Sequence, residues 1–329
     1  MAKLTSKIWL ASIAMAVCVL LTQSHVGATV QFDWTTVGNA NNTADSLTGY
    51  GSVGYNYRIS TYEVTVSQYV EFMNAADPDG TNALGLYTAG MRGVTQNTGN
   101  PSGSKYIVSA NWENRPVSYV SWYSAARMVN WLHNGQGVAT TESGVYDLSL
   151  ISTDPNAIAR SGGATVFLPS QDEWYKAAYY NGSTDEYFLY ANGSDTQPVQ
   201  SNPANDASGA NYYVPPIFAI TGTNSTGSFP LSEVGAYIDN QSPYGTYDQN
   251  GNVREWLETL DGSDRAIRGA SYASQADQLQ ADIYVHGAPG SASSSYGFRV
   301  GSVIPEPSSL LLLAGGAMMI LSRFRASRD

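Results

Sequence analysis

From Asn181 to Tyr247 the chain has almost no hydrophobic periodicity, yet rings recur through it, among them Tyr187, Phe188, Tyr190, Tyr212, Phe218 and Phe229. An aperiodic stretch of this length would ordinarily argue for disorder. Disordered chain is poor in aromatics and this segment is not, so it reads as ordered loop pinned by rings or by metal. Thiols cannot pin it, because the single cysteine, Cys18, lies in the first 28 residues.

Regular elements are short and lie on both sides of that stretch. Residues 29–54 read as a strand and a loop, and Tyr55–Glu63 alternates as a second strand. Val66–Asn74 then carries Tyr69, Val70, Phe72 and Met73 at helical spacing, with Thr65 as a cap lacking an acidic partner three residues on. Residues 75–111 read as a long irregular excursion. In Ser121–Leu132 the side chains of Trp122, Ala125, Val129 and Leu132 share one helical face, and Gly135 ends the element. Leu168-Pro169-Ser170-Gln171-Asp172-Glu173-Trp174 announces another helix, in which Ser170 and Glu173 form a capping box. Arg268–Tyr272 and Tyr296–Val300 read as the last core strands. No internal repeat or long linker divides the chain, so one α+β domain over 29–302 is expected, with two short sheets, few helices and much irregular loop.

The ends differ from this body. Residues 1–28 place Lys3 and Lys7 before an apolar run, Ile8–Leu21, and then Val26-Gly27-Ala28, the pattern of a secretory signal cut by signal peptidase after Ala28. Residues 303–329 contain Pro305-Glu306-Pro307, an apolar run from Leu310 to Leu321, and Arg323, Arg325 and Arg328. Twelve residues make about 18 Å of helix, short of a hydrocarbon core of about 30 Å. The run therefore reads as a processed transmembrane helix with only transient membrane association. It resembles the PEP-CTERM sorting signal of Gram-negative bacteria, which implies an exosortase acting at the triplet and delivery to the outer surface or extracellular matrix. Between the two ends lie 11 of the 16 Lys and Arg and 25 of the 27 Asp and Glu, a net charge near −14. Nucleic acid is disfavoured as a partner, and cations are favoured.

The densest motif is Tyr247-Asp-Gln-Asn-Gly-Asn-Val-Arg-Glu-Trp256. A glycine free of Cβ constraints, two carboxylates and an indole anchor suit either a tight turn leading into a strand or a loop around a hard cation.

Six motifs then occur in order: Tyr62-Glu63-Val64-Thr65, Arg115-Pro116-Val117 with Ser121-Trp122, Leu168–Trp174, Gly251–Trp256, Arg268–Tyr272 and Gly297-Phe298-Arg299-Val300. Together they resemble the formylglycine-generating enzyme, or sulfatase-modifying factor, family, a variant of the C-type-lectin fold. The resemblance implies structural calcium held by Asp248, Gly251, Val253 and Glu255, and a second calcium at Asn211 and Tyr212. It also implies that the thiolate pair holding copper in family oxidases falls on Ser274 and Leu279. Neither side chain is a soft ligand, so no copper centre is expected. His133 and His286 read as ordinary helix-end and loop residues. The leading expectation is a non-catalytic surface or matrix protein, its calcium-stabilised scaffold binding a polysaccharide or matrix protein. The alternatives are a divergent metal-dependent oxidase or hydroxylase of the family, and a structural spacer.

Overall fold

The computed structural model describes residues 29–227 and 230–304. The secretory signal, the Pro305–Pro307 triplet and the apolar run after it lie outside the described residues. Among the described residues no helix is long and apolar enough to cross a membrane, and the longest, Trp122–His133, has 12 residues. This corrects the expected transmembrane helix and its transient membrane association: twelve residues rise about 18 Å, too little to span the bilayer's apolar layer.

Each helix starts where a hydroxyl side chain can take up a free backbone N–H. In α1 (Val66–Ala76), Thr65 Oγ1 accepts from Gln68 N, and Gln68 Oε1 accepts from Thr65 N at 2.9 Å. The capping box is therefore complete, since an amide oxygen serves as well as the carboxylate the motif suggests. α2 (Trp122–His133) is capped by Ser121, whose Oγ accepts from Ser124 N at 3.1 Å. Its buried surface extends beyond the expected face to Met128 and Trp131, while Leu132 is only half-buried. α3 (Gln171–Tyr179) has the predicted reciprocal cap between Ser170 and Glu173, and Trp174 begins its buried face.

Two four-stranded sheets carry the framework, with three two-stranded ribbons beside them. In the first sheet Gly301–Val303 lies between Tyr57–Ser60 and Val166–Phe167, and Trp34–Val37 pairs outside Tyr57–Ser60, all antiparallel. In the second, Arg254–Asp261 pairs antiparallel with Asp264–Arg268 and parallel with Tyr296–Gly297, and Val285–Gly287 closes the far edge. The expected strand at Arg268–Tyr272 is displaced: the strand ends at Arg268, because Gly269 takes φ +78° and turns the chain away. Likewise only Tyr296–Gly297 of the expected strand at Tyr296–Val300 is strand, in the second sheet, and the first sheet's strand begins beyond it at Gly301.

The main core gathers α1, α2 and the second sheet around Phe72, Trp122, Trp131, Trp256 and Phe298. Its tryptophans also staple elements together. Trp122 Nε1 donates to Leu257 O at 2.9 Å, and Trp256 Nε1 donates to Val120 O at 2.8 Å. Buried indoles rarely stay without an acceptor, so these two bonds fix how α2 meets the sheet.

Candidate functional site

The loop before the long strand Arg254–Asp261 is wound by Asp248 (φ +68°) and Asn252 (φ +62°), not by Gly251. Gly251 is needed for another reason: a Cβ there would overlap the Asn211 carbonyl, while Asn252 N donates to that same oxygen at 2.9 Å. The motif and the aromatic-rich loop are thus bonded back to back. Asn252 Oδ1 completes the clasp by accepting from Ser232 N at 3.1 Å and Asn211 Nδ2 at 3.2 Å.

The predicted ligands divide between two environments. Glu255 is fully buried in an ion pair: Arg299 Nε and Nη2 donate to its two oxygens at 2.6 and 2.8 Å, and Trp174 Nε1 donates at 2.7 Å. Arg299 in turn donates to Tyr247 O at 2.8 Å and Ser60 O at 3.1 Å, so it ties the motif to the first sheet. Asp248 keeps one oxygen bonded, with Oδ2 accepting from Gly235 N at 2.6 Å, while Oδ1 is buried without a donor. Asn211 Oδ1 is also buried without a donor, whereas the Tyr212 carbonyl accepts from Gln200 Nε2 at 3.0 Å. Asp248, Gly251 and Asn211 line one cavity of about 10 Å³, which is the scale of a single water or ion. Val253 is wholly buried beside it in sequence.

Glu63 belongs to this cluster, although the sequence marks it only as part of the Tyr62–Thr65 motif and not as a site residue. It is 1 % exposed, and neither of its carboxylate oxygens has a hydrogen-bond donor. Burial, then the charge of Asp248, push its carboxyl well above the usual carboxylate range. Asp248 is pushed up to about 6, mainly by burial, against the Gly235 N–H and Arg299, which favour its charged form. The available signal was one carboxylate ending the otherwise alternating strand Tyr55–Glu63.

Glu63 also lines an open groove of about 490 Å³. One stretch of its wall is Gln31, Phe32 and Asp33, and a second is Asn114 with Glu233 and Val234. Gln68 Nε2 donates to Gln31 O at 2.7 Å and Val234 N donates to Asn114 O at 2.8 Å, so hydrogen bonds tie the first stretch to α1 and hold the second together. Tyr62, in the floor, stacks on Tyr247 at 5.5 Å between centroids.

The segment expected to correspond to the copper site is closed. Ser274 Oγ accepts from Arg254 Nη2 at 3.1 Å and from Ser271 N at 3.0 Å. Leu279 is 2 % exposed within a cluster containing Tyr190, Ala210, Tyr212 and Ala270. A guanidinium beside Ser274 repels a cation, and an isobutyl group offers no lone pair. His133 Nδ1 is 2.8 Å from Thr165 Oγ1, and His286 Nδ1 is 2.7 Å from Asp264 Oδ2. Among the described residues no three His, Cys, Asp or Glu are grouped to hold a metal.

Comparison with known proteins accords with this fold. Residues 39–303 match the model of the sulfatase-modifying factor enzyme 1-like domain. A curated relative, "Serine/threonine-protein kinase pkn1" of Chlamydia caviae, is 24% identical over 266 residues, covering 74% of this chain and 32% of that protein. The chain thus spans about a third of that relative's length. Among solved structures, CarF matches with a TM-score of 0.52 at 20% identity, over 84% of this chain and 99% of that one. Treponema denticola variable protein 1 matches with a TM-score of 0.51 at 20% identity, over 84% and 97%. These two likenesses speak to fold alone. With the family model covering most of its length, the chain belongs to the sulfatase-modifying factor, or formylglycine-generating-enzyme-like, family.

Proposed function

We propose that this chain is a ligand-binding member of its family, with an extended ligand lying in the groove between Asp33 and Glu233. The observation that carries the reading is local: where the resemblance puts the thiolates, Ser274 is hydrogen-bonded to Arg254 and Leu279 is packed in an apolar cluster. Family membership by itself speaks more directly for the other reading, a divergent metal-dependent oxidase or hydroxylase, because the matched domain is described as that of an enzyme. Oxygen uptake separates the two. The chain, supplied with copper or iron and a cysteine-containing peptide, is expected to consume no oxygen above the rate of metal and peptide alone. Turnover that follows the protein concentration overturns the binding reading.

We further propose one structural calcium at the small cavity beside Asp248. The free Asp248 Oδ1 and Asn211 Oδ1 face a shared space, and hard oxygen donors of this kind suit calcium. Glu255 is left out of the donor set, since Arg299 and Trp174 use both its oxygens. Bound calcium would hold the Asn211 and Gly251 loops together and would contribute stability by mass action. Metal content after dialysis, with melting before and after chelation, tests this; a melting point indifferent to both sinks it. Signal peptidase acting after Ala28 and an exosortase acting at Pro305-Glu306-Pro307 are proposed as processing partners, and intact mass of the chain recovered from its host reads both cuts.

A further inference from the structure

We infer that the groove between Asp33 and Glu233 takes a lysine- or arginine-bearing polypeptide segment; this rests on the ligand-binding reading above and names the class of ligand. Three acidic side chains line the groove, Asp33, Glu63 and Glu233, and no Lys, Arg or His lines it, although the charge of Arg115 reaches Glu233 from outside the lining. Asp33 and Glu233 are exposed, whereas Glu63 is 1 % exposed and has no donor for either oxygen. The Glu63 carboxyl lies beside Asp248, and its oxygens, which no N–H group reaches, remain acceptors for a bound cationic N–H group.

The other lining groups fit the same ligand. The Tyr62 ring is fixed by stacking on Tyr247 at 5.5 Å, so it is held in place as a face for an ammonium or guanidinium. Gln31 and Asn114 supply amides that can bond a peptide backbone. About 490 Å³ accommodates a few residues of extended chain, and the hydrogen bonds that anchor the walls leave little to reorganise on binding. A second acidic cleft, lined by Asp45, Asp185, Glu186 and Asp195, lacks this arrangement. Asp45 and Asp185 accept from Tyr175 and Tyr180, and Asp195 accepts from Leu189 N at 2.9 Å. It therefore serves as the internal control for charge alone.

The test uses the full chain with calcium present throughout, fluorescein-labelled hexalysine as the probe, and hexaglutamate and cellohexaose as comparisons, read by anisotropy. Hexalysine is expected to bind, and added salt is expected to weaken it. The double variant Asp33→Asn/Glu233→Gln, confined to exposed side chains, is expected to weaken binding roughly tenfold, from two ion pairs and the lost field. Asp185→Asn/Glu186→Gln is expected to change it less than twofold. Tyr62→Ala is expected to weaken hexalysine binding severalfold in a chain that circular dichroism shows still folded at the assay temperature. Equal losses in the two double variants, or no hexalysine binding, overturn the inference. Cellohexaose binding that is salt-independent and lost in Tyr62→Ala would overturn the cationic class alone and leave the ligand-binding reading intact. Oxygen uptake, by contrast, bears only on that reading.

Discussion

Replacing Glu255 by glutamine separates the two roles that its motif allows. Glu255 and Arg299 are both 0% exposed and joined by two hydrogen bonds, and the same carboxylate receives Trp174 Nε1. Glutamine keeps the shape and an acceptor for the indole, but it leaves a guanidinium buried without its counter-ion. Removing one partner of such a pair costs about 3–5 kcal/mol. The carbonyls of Ser60, Thr61 and Tyr247 still solvate Arg299, so the lower end of that range, about 3 kcal/mol, is expected. For a domain of this size that lowers the melting point by roughly 6–12 °C. Urea unfolding by circular dichroism, run with calcium and then with chelator, gives the stability in both conditions. The loss in Glu255→Gln should be the same in each, because the side chain serves Arg299. In Asp248→Ala the calcium dependence itself should vanish. A Glu255→Gln chain that loses under 1 kcal/mol, or that loses its calcium response, refutes the ion-pair assignment.

Gly251→Ala should destabilise by about 1–3 kcal/mol, since its Cβ would overlap the Asn211 carbonyl; a neutral effect in thermal melts would show that the two loops can part. Ser170→Ala removes the acceptor for Glu173 N and should cost about 1 kcal/mol, while Ser170→Asp should restore it. Lys176, with Nζ donating to Asn39 O at 2.8 Å, has its pKa lowered by burial from 10.5 to about 8. The unfolded chain then binds more protons than the folded one between pH 8 and 10.5, so stability should rise with pH across that window. Lys176→Met should lack the rise, and parallel stability curves for the two proteins from pH 8 to 10 would contradict it.

What could be read in the sequence was local. The cap at Ser170 and the buried residues of α1 follow from spacing within a few positions, and the structure reproduces them. At Thr65 the same logic needed only that an amide count as an acceptor. What could not be read depends on partners far along the chain. Glu255 and Arg299 are 44 residues apart, and nothing between them marks the pair. Gly251 draws its necessity from Asn211, which lies across an aperiodic loop. The groove is assembled from residues near positions 31, 63, 114 and 233, so its acidity is invisible to any window of sequence. Ser274 and Leu279 are visible in the sequence as a hydroxyl and an isobutyl group, but the guanidinium of Arg254 beside Ser274 is not.

The place of Gly301–Val303 has a consequence for how the chain is made. That strand sits between Tyr57–Ser60 and Val166–Phe167, which do not pair with each other. During synthesis both must therefore wait, with edges open, until the ribosome has released a segment more than a hundred residues later. Strands in that condition are targets for other nascent chains, and long-range pairing of this kind is slow. Holdase chaperones, which shield open strands from neighbours, should raise the yield of folded chain more than a faster rate of translation would, and cutting the chain just before Gly301 should trap it at that half-built stage.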